Sequence, residues 1–169
     1  MDKISIRRLE AADCPVISAC FTQQNWDKPV ALYEKYFREQ LEGRRLVLTA
    51  FCEGQFAGYL CIKWMPKYPT FKEREIPEIR DLNVLLKYRN MGIATRLLDD
   101  AESCIAQRSS YAGIGVGLSR DYGAAQQIYI RRGYVPDGQG VYQKGRYLEQ
   151  GDSATVDDDL VLYFLKKLN

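Results

Sequence analysis

The sequence predicts a mixed α/β (α+β) fold built on a strongly twisted central mixed sheet of six to seven strands, flanked by about four helices. Three observations carry this reading. Strand-like and helix-like segments follow one another in the order β-α-α-β-β-β-α-β-α-β-β, as in a sheet covered by helices. The 169 residues suit a single domain spanning 1–169, long enough to bury a sizeable core. The hydrophobic share of 46% and the charged share of 27% are those of an ordinary globular chain.

Lys3–Arg8 sets Ile4, Ile6 and Arg8 on one side of an opening strand. Asp13 followed by Pro15 is a helix start, with Val16/Cys20 and Ile17/Phe21 at helical spacing. After Pro29, Val30, Tyr33, Phe37 and Leu41 form the stripe of a second helix that stops at Gly43. Leu46–Cys52 and Phe56–Trp64, joined through Glu53-Gly54-Gln55, form a hairpin. Met65–Pro77, with three prolines, is expected as a long exposed loop. Glu78–Leu86 resumes as a strand, and Gly92–Gln107 carries a helical stripe of Ile93, Leu97, Ala101 and Cys104/Ile105. Ala112–Leu118 is a glycine-rich strand and Ala124–Arg132 a short helix closed by Gly133. Tyr134–Leu148 and Leu160–Lys166 supply the last two strands.

The histidine count is zero. That removes Ser-His-Asp and Cys-His nucleophilic pairs and any His-ligated metal, so no metal is expected. The five cysteines include no C-x-x-C pair. Met1–Glu10 mixes charged and apolar residues unlike a secretory leader, so reduced thiols in a cytoplasmic protein are expected. A net charge of +2 gives no case for a nucleic-acid partner, and no apolar run is long enough for a membrane helix.

The chemistry concentrates in Leu82–Ala94, where a strand runs through a short loop into a helix beginning near Gly92. Such a loop aims unpaired backbone N–H groups at one point, at the positive end of the helix dipole, and suits a phosphate or pyrophosphate. Gly92 allows close backbone approach, Ala94 leaves the first turn uncrowded, and Arg89 adds a charge-assisted bond. Rival phosphate motifs fit badly. There is no G-x-x-x-x-G-K-[ST], and Gly113-Ile114-Gly115-Val116-Gly117 lies within a strand instead of opening a helix.

Arg89-x-x-Gly92-x-Ala94, preceded by Leu82-x-Val84, resembles the [QR]-x-x-G-x-[GA] acyl-CoA loop of the GNAT superfamily of N-acetyltransferases. Ala125-x-x-Ile128-Tyr129-x-x-x-Gly133-Tyr134 is similar to that family's A-x-x-[IL]-Y-x-x-x-G-[FY] segment, in family order and at family-like separation. Departures are Leu86 where many relatives have proline, Asn90 where they have glycine, and Asp121-Tyr122-Gly123 where an asparagine is frequent.

The resemblance implies a GNAT-like sheet and acetyl-CoA as cosubstrate, held by Leu82, Val84, Arg89, Asn90, Met91, Gly92, Ile93, Ala94 and Thr95. Main-chain groups of Leu82 and Val84 would bind the pantetheine arm, and one of their N–H groups would polarise the thioester carbonyl. Tyr129 is implied as the acid that assists the leaving thiolate, in a site able to narrow the gap between phenol and thiol. Deprotonating a lysine-like amine at pH 7 costs about 4.6 kcal/mol. Period-2 alternation puts Glu78 on the face of Leu82 and Val84 as candidate base, with Asp81 the competitor and a water chain the alternative. Trp26, Trp64–Pro77 and the strands after Tyr134 are expected to line the acceptor side. The implied acceptor is a small-molecule or protein amine, and a homodimer is compatible with this reading. The alternative is a non-catalytic acyl-CoA-binding module of the same fold.

Overall fold

In the computed structural model, which describes residues 3–169, the elements are β1 (Ile4–Arg8), α1 (Asp13–Gln23), α2 (Val30–Leu41), β2 (Arg45–Cys52), β3 (Gln55–Lys63), α3 (Pro69–Glu73), β4 (Glu78–Val84) and α4 (Ile93–Ala106). The second half adds β5 (Tyr111–Gly117), α5 (Gly123–Arg131), β6 (Val135–Gln143), β7 (Arg146–Tyr147) and β8 (Val161–Lys167). The chain divides into two compact units, residues 3–64 with 79–104, and residues 65–78 with 105–169.

In the first unit, β1 pairs antiparallel with β2 (Ile4 opposite Cys52), β2 pairs antiparallel with β3, and β4 follows β3 in the strand order. The β2–β3 turn is Glu53-Gly54, at φ 49° and 80°. Two positive values are what a type I′ hairpin turn requires, and they match the twist of the strands. Helix α1 opens where Asp13 takes both terminal nitrogens of Arg7 (2.7 and 2.8 Å) and the N–H of Glu10 (2.8 Å). The core joins Ile17 and Phe21 of α1, Tyr33 and Tyr36 of α2, and Val47, Phe56, Tyr59 and Cys61 of the strands. Aromatic edges meet faces within it: Tyr33 stands at 88° to Tyr59 and Phe21 at 86° to the same ring.

Gly58 fixes how closely β4 approaches β3. A Cβ there would lie 2.6 Å from the backbone oxygen of Asn83 and 3.1 Å from the Cα of Val84. Backbone atoms cannot swing aside as a side chain can. Gly58→Ala is therefore expected to destabilise the fold by about 1–3 kcal/mol, read as a lower urea midpoint at an unchanged slope.

In the second unit the strand order is β5-β8-β6-β7, antiparallel at each pairing. The glycine-rich strand has a packing reason. A Cβ on Gly113, Gly115 or Gly117 would run into the ring of Phe71, Tyr163 or Tyr122 respectively. Tyr68 stacks on Tyr163 with ring centroids 3.6 Å apart and donates its hydroxyl proton to Asp137 at 2.5 Å.

Two expectations change. The segment Tyr134–Leu148 is two strands, because Lys144-Gly145 (φ 48° and 82°) repeats the I′ turn. The described residues thus hold eight strands instead of six to seven. The expected loop Met65–Pro77 contains α3, with Pro69 at its start, where a missing N–H costs nothing. No described helix is long and apolar enough to cross a membrane.

Candidate active site

Strand β4 ends at Val84, and the N–H of the next residue, Leu85, reaches the carbonyl of Ala57 at 2.9 Å. One 3₁₀ turn (Leu86–Tyr88) follows, then Asn90 at φ 61° and Gly92 at φ 82°. The side-chain oxygen of Gln24 accepts the Leu86 N–H at 3.0 Å and ties the turn to the end of α1. The first intrahelical bond of α4 runs from the Arg96 N–H to the Gly92 carbonyl, 3.0 Å. The N–H groups of Ile93, Ala94 and Thr95 therefore have no acceptor within the helix and stand at its positive end.

Nothing lies within 4 Å of a Cβ built on Gly92. The glycine is required by its left-handed φ rather than by crowding, and the turn leaves open room beside the amides. Arg89 is exposed, with its guanidinium 5.7 Å from the Trp26 ring centroid and its Nε 3.5 Å from the Val84 carbonyl. Met91 and Thr95 are exposed as well, whereas the Ile93 side chain is buried in the core and contributes only its backbone. An exposed cation beside a row of open amides fits a pyrophosphate-bearing ligand.

Leu82 and Val84 are half-buried on β4. The alternation that aligns them with Glu78 presumes an unbroken strand, and β4 is broken: Asp81 sits at φ 53°. A left-handed residue inside a strand interrupts the period of two, as in a β-bulge, so spacing across it assigns no common face. Glu78 itself is buried at 5% exposure, and its residue lies in the second unit.

Tyr129 also belongs to the second unit, on α5, which a 3₁₀ turn (Arg120–Tyr122) leads into. It is 6% exposed, with its ring at 62° to Tyr134 and 6.0 Å away. No described residue hydrogen-bonds its hydroxyl, and burial pushes the phenol up to about 12. Burial thus moves the phenol away from the value of about 8.5 that a thiol has in water. Tyr129 stays protonated at neutral pH with its proton uncommitted.

Sequence reasoning missed three features. The Asp81 bulge carries no glycine to announce it, and Tyr36 and Gln24 reach β4 and the turn from helices far away in sequence. Trp26, expected on the acceptor side, stacks on Phe21 at 5.8 Å beside Arg89. No group of three or more metal-ligating side chains occurs among the described residues.

The model of the acetyltransferase (GNAT) family matches residues 6–134. Among solved structures, a Salmonella typhimurium protein, YncA, solved with its cofactor acetyl-CoA, is 16% identical, with a TM-score of 0.70 over 99% of this chain and 95% of that one. An N-acetyltransferase of Staphylococcus aureus is 14% identical, with a TM-score of 0.72 over 99% and 100%. A ribosomal-protein-alanine N-acetyltransferase of Brucella melitensis is 19% identical, with a TM-score of 0.70 over 96% and 99%. Identities this low speak for the fold alone. A search of the curated proteins finds no match. A family match over residues 6–134, which take in both motifs and the turn at Gly92, settles the question of descent: the chain belongs to the GNAT family of acetyltransferases.

Proposed function

We propose that the protein is an acetyl-CoA-dependent N-acetyltransferase acting on a primary amine in the cytoplasm, with both units serving one acyltransferase domain. The observation that carries this is the turn Arg89–Thr95: a left-handed glycine, three amides without helical acceptors and an exposed arginine. Those amides and Arg89 would hold the pyrophosphate, and backbone groups of Leu82 and Val84 the pantetheine arm. When bound, acetyl-CoA supplies the acetyl group as a thioester open to attack by a neutral amine. A β4 N–H polarises the carbonyl, an effect worth roughly 2.7–4 kcal/mol at comparable sites. Tyr129 donates a hydrogen bond toward the sulfur, and Glu78 takes the proton that the amine sheds. N-terminal protein amines are one acceptor class to include, because the Brucella neighbour is named for a ribosomal-protein alanine.

Acetyl-CoA is to be incubated with polyamines, lysine peptides, N-terminal peptides and aminoglycosides, with acetylated product read by mass, since five cysteines would confound a thiol reagent. Transfer to an amine is the expected result. Tight CoA binding with no product on any amine would identify a binding module instead. Glu78→Gln is expected to slow turnover most at low pH and least near the amine's own pKa of about 10.4, where the base has nothing left to remove. A pH–rate profile parallel to wild type would take the role from Glu78.

A further inference from the structure

Helix α1 ends in a Schellman cap. Gln24 closes the helix and Asn25 takes a left-handed φ of 61°. The Asn25 N–H donates to the Thr22 carbonyl at 2.9 Å and the Trp26 N–H to the Phe21 carbonyl at 3.0 Å. The cap fixes how the chain leaves α1, and with it where Gln24 and Trp26 stand. Both meet the turn that opens α4. Gln24 accepts the N–H of Leu86, 62 positions away, at 3.0 Å. Trp26, stacked on Phe21 at 5.8 Å and 11°, has the Arg89 guanidinium 5.7 Å from its ring centroid. The two contacts bracket the 3₁₀ turn, one at its first residue and one just beyond its last.

Packing does not fill this junction. An open cleft of about 240 Å³ lies between the helix end and the turn, lined by Cys20, Gln23, Gln24, Leu85, Leu86 and Lys87. The Gln24 amide is not placed there for stability. Its Nε2 is buried and no described residue accepts from it, and a buried donor without a partner is destabilising. The bond from Leu86 lies at the surface, where water is a ready alternative partner for that N–H. An amide held against its own desolvation, on the residue that leads into the phosphate turn, serves the shape of the turn.

We propose that Gln24 and Trp26 are positioning residues for the cosubstrate: the end of α1 holds the Arg89–Thr95 turn in the conformation that binds CoA. This rests on the acetyltransferase reading given above. Gln24 sets the start of the turn, and so the direction in which the chain approaches Asn90 and Gly92. Trp26 steadies the guanidinium of Arg89 beside the open amides. Both act through the turn, so their loss weakens CoA binding and leaves the fold intact.

The test is calorimetric titration with CoA, with thermal unfolding of each variant alongside. Gln24→Ala is expected to bind CoA about three- to tenfold more weakly, the span of one lost hydrogen bond. Its unfolding midpoint should stay within about 2 °C of wild type. Adding Leu86→Pro should restore affinity to within about twofold, because proline has no N–H to leave unpaired. The exchange suits the site: Leu85 already lies at φ −55° and ψ 141°, as a residue before proline requires, and the Leu86 side chain is 49% exposed. CoA should also change the tryptophan emission of the wild type, and Trp26→Phe, which keeps a ring against Phe21, should lose that change. Unchanged affinity in Gln24→Ala, no recovery with Leu86→Pro, or an emission that ignores CoA would overturn the positioning role and leave the acetyltransferase reading intact. A midpoint that falls together with affinity would make the contact a structural tie and overturn the role as well. A wild-type protein that does not bind CoA would overturn both.

Discussion

Replacing Tyr129 by phenylalanine is expected to reduce acetyl transfer by at least tenfold, and by as much as the 10²–10⁴-fold typical of a lost general acid, while CoA affinity changes little. The substitution keeps the ring, which packs against Tyr134 in a buried site, so the fold should survive. What it removes is a hydroxyl that no other described residue uses. With the phenol pushed up to about 12 by burial, complete proton transfer to a thiolate of pKa about 8.5 is uphill by about 5 kcal/mol. In the mechanism proposed above, the hydroxyl therefore acts mainly as a hydrogen-bond donor while charge builds on sulfur, with the proton following as the thiol leaves. The measurement is single-turnover formation of acetylated amine by rapid quench, which isolates chemistry from product release. An unchanged single-turnover rate would remove Tyr129 from the mechanism.

Replacing Gly92 by valine is expected to weaken CoA binding by at least tenfold. The structure alters the reason. Space is open where the side chain would project, but φ at 82° is a conformation that a β-branched residue adopts only as an outlier. The turn must then re-form with a negative φ, which rotates the peptide planes leading into α4 and re-aims the amides of Ile93, Ala94 and Thr95. An anion held by several donors at once is sensitive to such a rotation, because each bond weakens steeply off-axis. Calorimetry with CoA reads the affinity, and a cooperative unfolding transition shows that the variant is folded. A folded Gly92→Val protein with wild-type affinity would refute the assignment of the phosphate turn. Gly92→Ala should be milder, since only one methyl meets the backbone.

The order of elements and the glycine turn that opens α4 were legible because both are local. Hydrophobic spacing in α2 and α4, the Pro and Gly punctuation, and the strand-loop-helix passage from Leu82 to Ala94 each depend on neighbours within a few residues. The Lys144-Gly145 turn is equally local, a residue before glycine that splits Tyr134–Leu148 into two strands. The alternation that aligned Glu78 with Leu82 and Val84 could not be carried across the strand for a different reason. It presumed regular backbone, whereas Asp81 is left-handed and its carboxylate accepts from Tyr36, 45 positions away in the chain.

The sequence by itself determined the mixed α/β class, the motif pair that points to the family, the exclusion of histidine chemistry and the site of the glycine-opened helix. Tertiary structure alone decided that Asp81 leaves the regular strand, that Tyr129 is buried with an uncommitted proton, and that the glycines of β5 are small because Phe71, Tyr163 and Tyr122 lie over them. The division has a physical cause. Backbone preferences and capping act over one or two turns of chain, whereas burial, strain and the sharing of charge arise only when distant segments are packed together.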